Sequence, residues 1–198
     1  MTRDAAMPQQ PPPDMILLVS AMDDQVASLA EPYRSLTKEF FKCNWDRAQK
    51  ELLARTTRMR VTAAPTAYPT VFRFEVELPY KRKVSSEAAV ELHPGPIRGT
   101  IAYRHDLFVV PFDAPAIAVW LDPDQFFHHP NFSMRHHALC LGDLPPGPFE
   151  LADLLPHLYS ILSYENRTPT DPADLDAARY FACDPEAMLG LEPVEPLY

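Results

Sequence analysis

Four of the seven histidines and one of the three cysteines lie between Asp122 and Pro148. They sit in the string Phe127-His128-His129-Pro130-Asn131-Phe132-Ser133-Met134-Arg135-His136-His137-Ala138-Leu139-Cys140-Leu141. Three chemistries fit these residue types. Cys140, between Leu139 and Leu141, can be a packed residue, because free cysteine behaves as a small hydrophobe. Cys140 with one of His128 or His129 and one of His136 or His137 supplies zinc-type ligands, although the spacing matches no standard knuckle. Cys140 can also be an accessible nucleophile, since a thiolate attacks acyl carbon readily. A long connection inside a compact domain is usually functional or disordered, and this one is too apolar to be disordered.

The rest of the composition narrows the setting. The cysteines, Cys43, Cys140 and Cys183, are odd in number and form no CxxC. Met1 to Pro13 is polar and proline-rich rather than a secretory signal, and the apolar run Met15 to Val19 is far too short to span a bilayer. A reducing cytoplasm with three free thiols is the expected setting. Cys43 and Cys183 lack polar company like that of Cys140, so buried or incidental roles suffice for them. The formal net charge of −9 disfavours nucleic acid and anionic membranes as partners, since both need a basic face. With 23 prolines and 5 glycines the chain has rigid turns and no Gly-rich phosphate loop.

The elements that must position the thiol follow from periodicity. Residues 1–13 read as a disordered leader and 14–42 as a helical extension. Residues 43–185 read as the core and 186–198 as a C-terminal tail. Asn44 is expected to cap a helix from Trp45 to about Thr57 with Trp45, Ala48 and Leu52 on one face. Strands are expected at Met59–Ala64, Val71–Leu78, Ala88–Leu92, Gly99–Val110 and Ala116–Leu121. The second alternates Phe72, Phe74, Val76 and Leu78 against Arg73, Glu75 and Glu77. Lys81-Arg82-Lys83 reads as a solvated turn. After the irregular 122–148 stretch come helices at Leu151–Tyr164 and Ala173–Ala182. Segregated strands and helices predict an α+β fold: a helix, a meander of strands, a long irregular loop and two C-terminal helices.

His129-Pro130-Asn131 followed nine residues later by Cys140 resembles the active-site segment of ubiquitin-conjugating enzymes. Downstream, the helix with Leu154, Leu155, Leu158, Ile161 and Leu162 precedes Glu165-Asn166 and Asp171-Pro172. A helix carrying Ala177-Ala178 and Tyr180 follows, similar to that family's "PN…DP" loop and "AA..Y" helix. Asp171 lies 31 residues after Cys140. Gln49-Lys50-Glu51-Leu52-Leu53 resembles the first helix of the family. The likeness spans about Asn44 to Asp184.

The resemblance implies a ubiquitin-conjugating-like fold, with an antiparallel four-stranded meander and a long active-site loop, and a transferase whose Cys140 takes a ubiquitin-like protein from an activating enzyme as a thioester. The acyl group then passes to an amine of a protein target. Asn131 would steady the loop and stabilise the tetrahedral oxyanion, and His129 and Pro130 would be scaffold. Asp171 would face the incoming amine, its other role being a helix N-cap before Pro172. Arg47 and Lys50 would help dock the activating enzyme, which uses the ATP; this chain needs no cofactor or metal. The pattern is similar to the ubiquitin-like conjugation systems of bacterial antiphage operons. An inactive member of the same fold acting as a scaffold, or a zinc-binding structural protein, are the alternatives. The sequence departs from the family in three places. Arg135-His136-His137 replaces a glycine-containing turn before the cysteine. The usual tryptophan after it is absent, with Leu144 to Phe149 in its place. Lys81 to Gly99 is an insertion.

Overall fold

The computed structural model of the chain describes residues 24–109, 116–142, 144, 148–167, 172–191 and 197. The expected leader and the run Met15 to Val19 lie outside them, as does Asp171.

After a helical turn at 24–28, α1 runs Tyr33–Ala48 and continues through a π-helical turn, Gln49–Leu53. Its buried stripe is Thr37, Phe41, Asn44, Ala48 and Leu52, at helical intervals of four and three residues. Two of the five are polar, and this hid the stripe from a search for apolar periodicity. Asn44 therefore lies inside the helix rather than at its start. The expected division at residues 42 and 43 falls within one continuous element.

The strands are β1 Met59–Ala63, β2 Val71–Val76, β3 Tyr80–Arg82, β4 Glu91–His93, β5 Ile97–Tyr103, β6 Ile117–Leu121, β7 Phe132–Ser133 and β8 Ala138–Leu139. One antiparallel sheet has the order β1-β2-β5-β6-β8-β7, and β3 pairs with β4 as a separate ribbon. The expected meander is β1-β2-β5-β6, and the sheet goes further than expected through β8 and β7. The alternation in β2 holds, with Phe72, Phe74 and Val76 buried and Arg73 and Glu75 only half-buried. In β5, Gly99 is required by close approach: a Cβ there would sit 2.2 Å from the Trp120 carbonyl oxygen and 2.7 Å from the Phe74 ring.

Two helices close the chain, α2 Leu151–Leu162 and α3 Leu175–Cys183. Leu154, Leu155, Leu158, Ile161 and Leu162 are fully buried and join the core built on Phe41, Phe72 and Ile101. Burial of each such side chain contributes about 1.5–3 kcal/mol, so α2 is held chiefly by packing. Its start is set by α1. The Asn44 side-chain oxygen accepts the Leu151 N–H at 2.6 Å, and Arg47 bonds the Glu150 carboxylate. Asn44 is thus a helix cap, but for a helix 107 residues away.

Lys81 is not in a solvated turn. It lies in β3, is buried, and donates from Nζ to the Leu189 carbonyl at 2.7 Å. Part of the expected tail therefore packs back, with Ala187 and Leu197 also buried. No helix among the described residues is long and apolar enough to cross a membrane.

Candidate active site

The interval of nine residues between Asn131 and Cys140 has a structural cause. Strands β7 and β8 form a short hairpin in which Phe132 faces Leu139 and Ser133 faces Ala138. Extending that register by one step sets Asn131 opposite Cys140. The pair is bonded accordingly: the Cys140 N–H donates to the Asn131 carbonyl at 2.6 Å. The Asn131 side-chain Nδ2 donates in return to the Cys140 carbonyl at 3.2 Å. Both backbone groups of the cysteine are thereby fixed by one residue.

The hairpin also decides which way the thiol points. Along an extended chain successive side chains alternate between faces. Leu139 is 5% and Leu141 8% exposed, while Cys140 between them is exposed. The packed-residue reading of Leu-Cys-Leu is therefore overturned by alternation. Cys43 and Cys183 are exposed too, which corrects a buried role for them; Cys43 lies within α1 and Cys183 ends α3. Exposure alone does not single out Cys140; its bonds to a buried asparagine do.

The turn of the hairpin runs through Arg135 and His136, both exposed, and His137, whose φ of 50° is left-handed. That is the backbone conformation glycine adopts most cheaply, and histidine is among the few other residues that visit it. His137 thus does the work of the glycine that the turn lacks. Its carbonyl accepts the Leu121 N–H at 2.9 Å, which ties the turn to β6.

His129, Pro130 and Asn131 are all buried. The His129 ring stacks on Phe127 at 5.2 Å and 4° and lies 4.7 Å from the Tyr164 ring. Its Nδ1 accepts the Asn131 N–H at 3.0 Å, so the imidazole is neutral with its proton on Nε2. Burial, reinforced by the neighbouring His128, pushes its pKa down to about 3. A ring so placed orients Asn131 and has no free lone pair for a proton transfer. Burial lowers the pKa of His128 as well, against the pull of Asp174.

The Pro130 carbonyl accepts the N–H of Asp174 at 3.1 Å, joining the site to α3. Asp174 is the N-cap of that helix, accepting the N–H groups of Asp176 and Ala177 at 2.9 Å each. The cap foreseen at Asp171 is therefore filled by Asp174. An acidic residue directly before Leu175 was the available signal.

His157 was not foreseen at all. From α2 its Nε2 meets the Leu141 carbonyl at 2.7 Å, and a mid-helix histidine gives no sequence cue for a contact 16 residues upstream. Cys140, Asn131, His129 and Pro130 are thus brought together. Arg47 and Lys50 belong to a different element, α1 and its continuation; Arg47 is engaged by Glu150 and Glu51, which raise its pKa, and Lys50 is exposed. Among the described residues no group of three or more His, Cys, Asp or Glu side chains is placed to hold a metal ion.

No family model matches the chain, and no curated protein matches it.

Proposed function

We propose that the chain is a ubiquitin-conjugating-type carrier in which Cys140 holds the C-terminal acyl group of a ubiquitin-like protein as a thioester. The observation that carries this reading is the hairpin pair: a buried asparagine grips both backbone groups of an exposed cysteine nine residues away. The order of α1, meander, hairpin, α2 and α3 supports a ubiquitin-conjugating-like fold.

In the first step the Cys140 thiolate attacks the thioester carbon on the activating enzyme. A new C–S bond forms, and the old one breaks to release the thiolate of that enzyme. One thioester replaces another, so the step needs positioning and access more than a strong base. In the second step a target amine, in this reading a lysine, attacks the acyl carbon and the Cys140 thiolate leaves. Asn131 Nδ2 carries two N–H groups. One holds the Cys140 carbonyl, and the second would serve the tetrahedral oxyanion. Asp171 would orient the incoming ammonium and favour its deprotonation. Arg47 and Lys50 would contribute to docking of the activating enzyme, which alone consumes ATP.

The test is charging. Mixed with its activating enzyme, ATP and modifier, the chain should form an adduct that a thiol reductant reverses and that free lysine discharges. An adduct that survives reductant, or no adduct with a competent activating enzyme, refutes the reading.

A further inference from the structure

We infer that His157 is a positioning residue for the Cys140 thiol, an inference that rests on the carrier reading above. Cys140 is held on one side by the hairpin, where Asn131 takes both its N–H and its carbonyl. The ladder then ends. Gly142 has a φ of +70°, the left-handed backbone that glycine adopts most cheaply, and among the described residues no neighbouring atom lies within 4 Å of a Cβ built there. The peptide between the thiol and this turn is that of Leu141, and its carbonyl is the atom that His157 Nε2 meets at 2.7 Å. A carbonyl can only accept, so Nε2 carries the proton and donates.

The donor stands on a rigid support. On α2, Leu154, Leu155, Leu158 and Ile161 are fully buried, and Asn44 holds the first N–H of the helix. His157 itself is half-buried, between that packed stripe and solvent. A side chain so mounted fixes the segment just past the cysteine relative to the core. The two anchors are independent: one belongs to the opposite arm of the hairpin and the other to α2. Acyl exchange draws much of its rate from holding the sulfur in an attacking position, and a site is only as well defined as the groups that support it.

The experiment uses the full chain with Cys43→Ser and Cys183→Ser, leaving Cys140 as the one thiol. His157→Leu keeps bulk without a donor, and His157→Gln keeps an N–H donor at comparable reach. Amide hydrogen exchange is followed for Leu139 to Gly142 and, as a control, for α2. Transfer is measured from a Gly-Gly-terminated peptide supplied as its mercaptoethanesulfonate thioester. His157→Leu should exchange about fivefold faster at Leu139 to Gly142, the effect of one lost hydrogen bond. Its kcat for acyl transfer should fall by about the same factor with KM unchanged, and His157→Gln should restore both. Should leucine disturb exchange in α2, His157→Ala repeats the comparison with a better helix former. Equal exchange and equal transfer in all the proteins overturn the role of His157 and leave the carrier reading standing. No transfer to the parent protein sinks the carrier reading itself, whatever exchange shows.

Discussion

Asn44→Ala removes the acceptor of the Leu151 N–H while Leu151 stays fully buried and Asn44, at 2% exposure, leaves a site that water does not reach. A buried donor left without a partner costs about 1–3 kcal/mol. Loss of a helix N-cap costs about 0.5–2 kcal/mol, but it describes the same bond and is not added again. The expected destabilisation is therefore about 2 kcal/mol, which for a chain of this length lowers Tm by about 4–8 °C. Urea unfolding followed by circular dichroism measures the free energy, and hydrogen exchange at Leu151 localises it. Asp46→Ala, at an exposed position on the same helix, is the control and should change stability by less than about 0.5 kcal/mol. Because α2 carries His157, the Asn44 variant should also quicken exchange at Leu141. A loss no larger than the control would refute the reasoning and show that α2 finds its start without the Asn44 bond.

Two further outcomes follow from the site. His129 stays neutral in the folded chain down to about pH 3, whereas its ordinary value is 6.5. Between those limits the unfolded chain binds the extra proton, so stability is full above pH 6.5 and falls as pH drops, by up to about 1.4 kcal/mol per unit from this group. His129→Asn, which can still accept the Asn131 N–H, should unfold in urea with a visibly shallower dependence between pH 6 and 4.5; an unchanged slope would refute the assignment. Asp171→Ala should charge at the wild-type rate and discharge to lysine about a hundredfold more slowly in single-turnover assays, the low end of what a positioned acid–base group contributes. Impaired charging would instead give Asp171 a folding role.

What was legible in the sequence was what depends on local pattern. The buried stripe of α2 and the alternation of β2 are carried by apolar side chains alone, and both are found as expected. The α+β class followed from them. What failed was interaction at a distance. Asn44 has the chemistry of a cap, but nothing local says that its helix is α2 rather than its own. Lys81 reads as solvated until the Leu189 carbonyl is brought to it by the fold. The β7–β8 hairpin was missed because its strands are two residues long and its turn uses His137 in place of glycine. The run Leu139, Cys140, Leu141 was visible, but with no strand expected there it read equally well as a packed cysteine.

Since Cys43, Cys140 and Cys183 are all exposed, the most direct measurement asks which of them carries the modifier. The protein with Cys43→Ser and Cys183→Ser should charge with its activating enzyme at the wild-type rate, giving one reductant-sensitive adduct. The protein with only Cys140→Ser should give none that reductant reverses, and instead an oxygen ester that withstands reductant, mapped to position 140 by mass spectrometry. A reductant-sensitive adduct that persists in Cys140→Ser, carried by Cys43 or Cys183, would contradict the account.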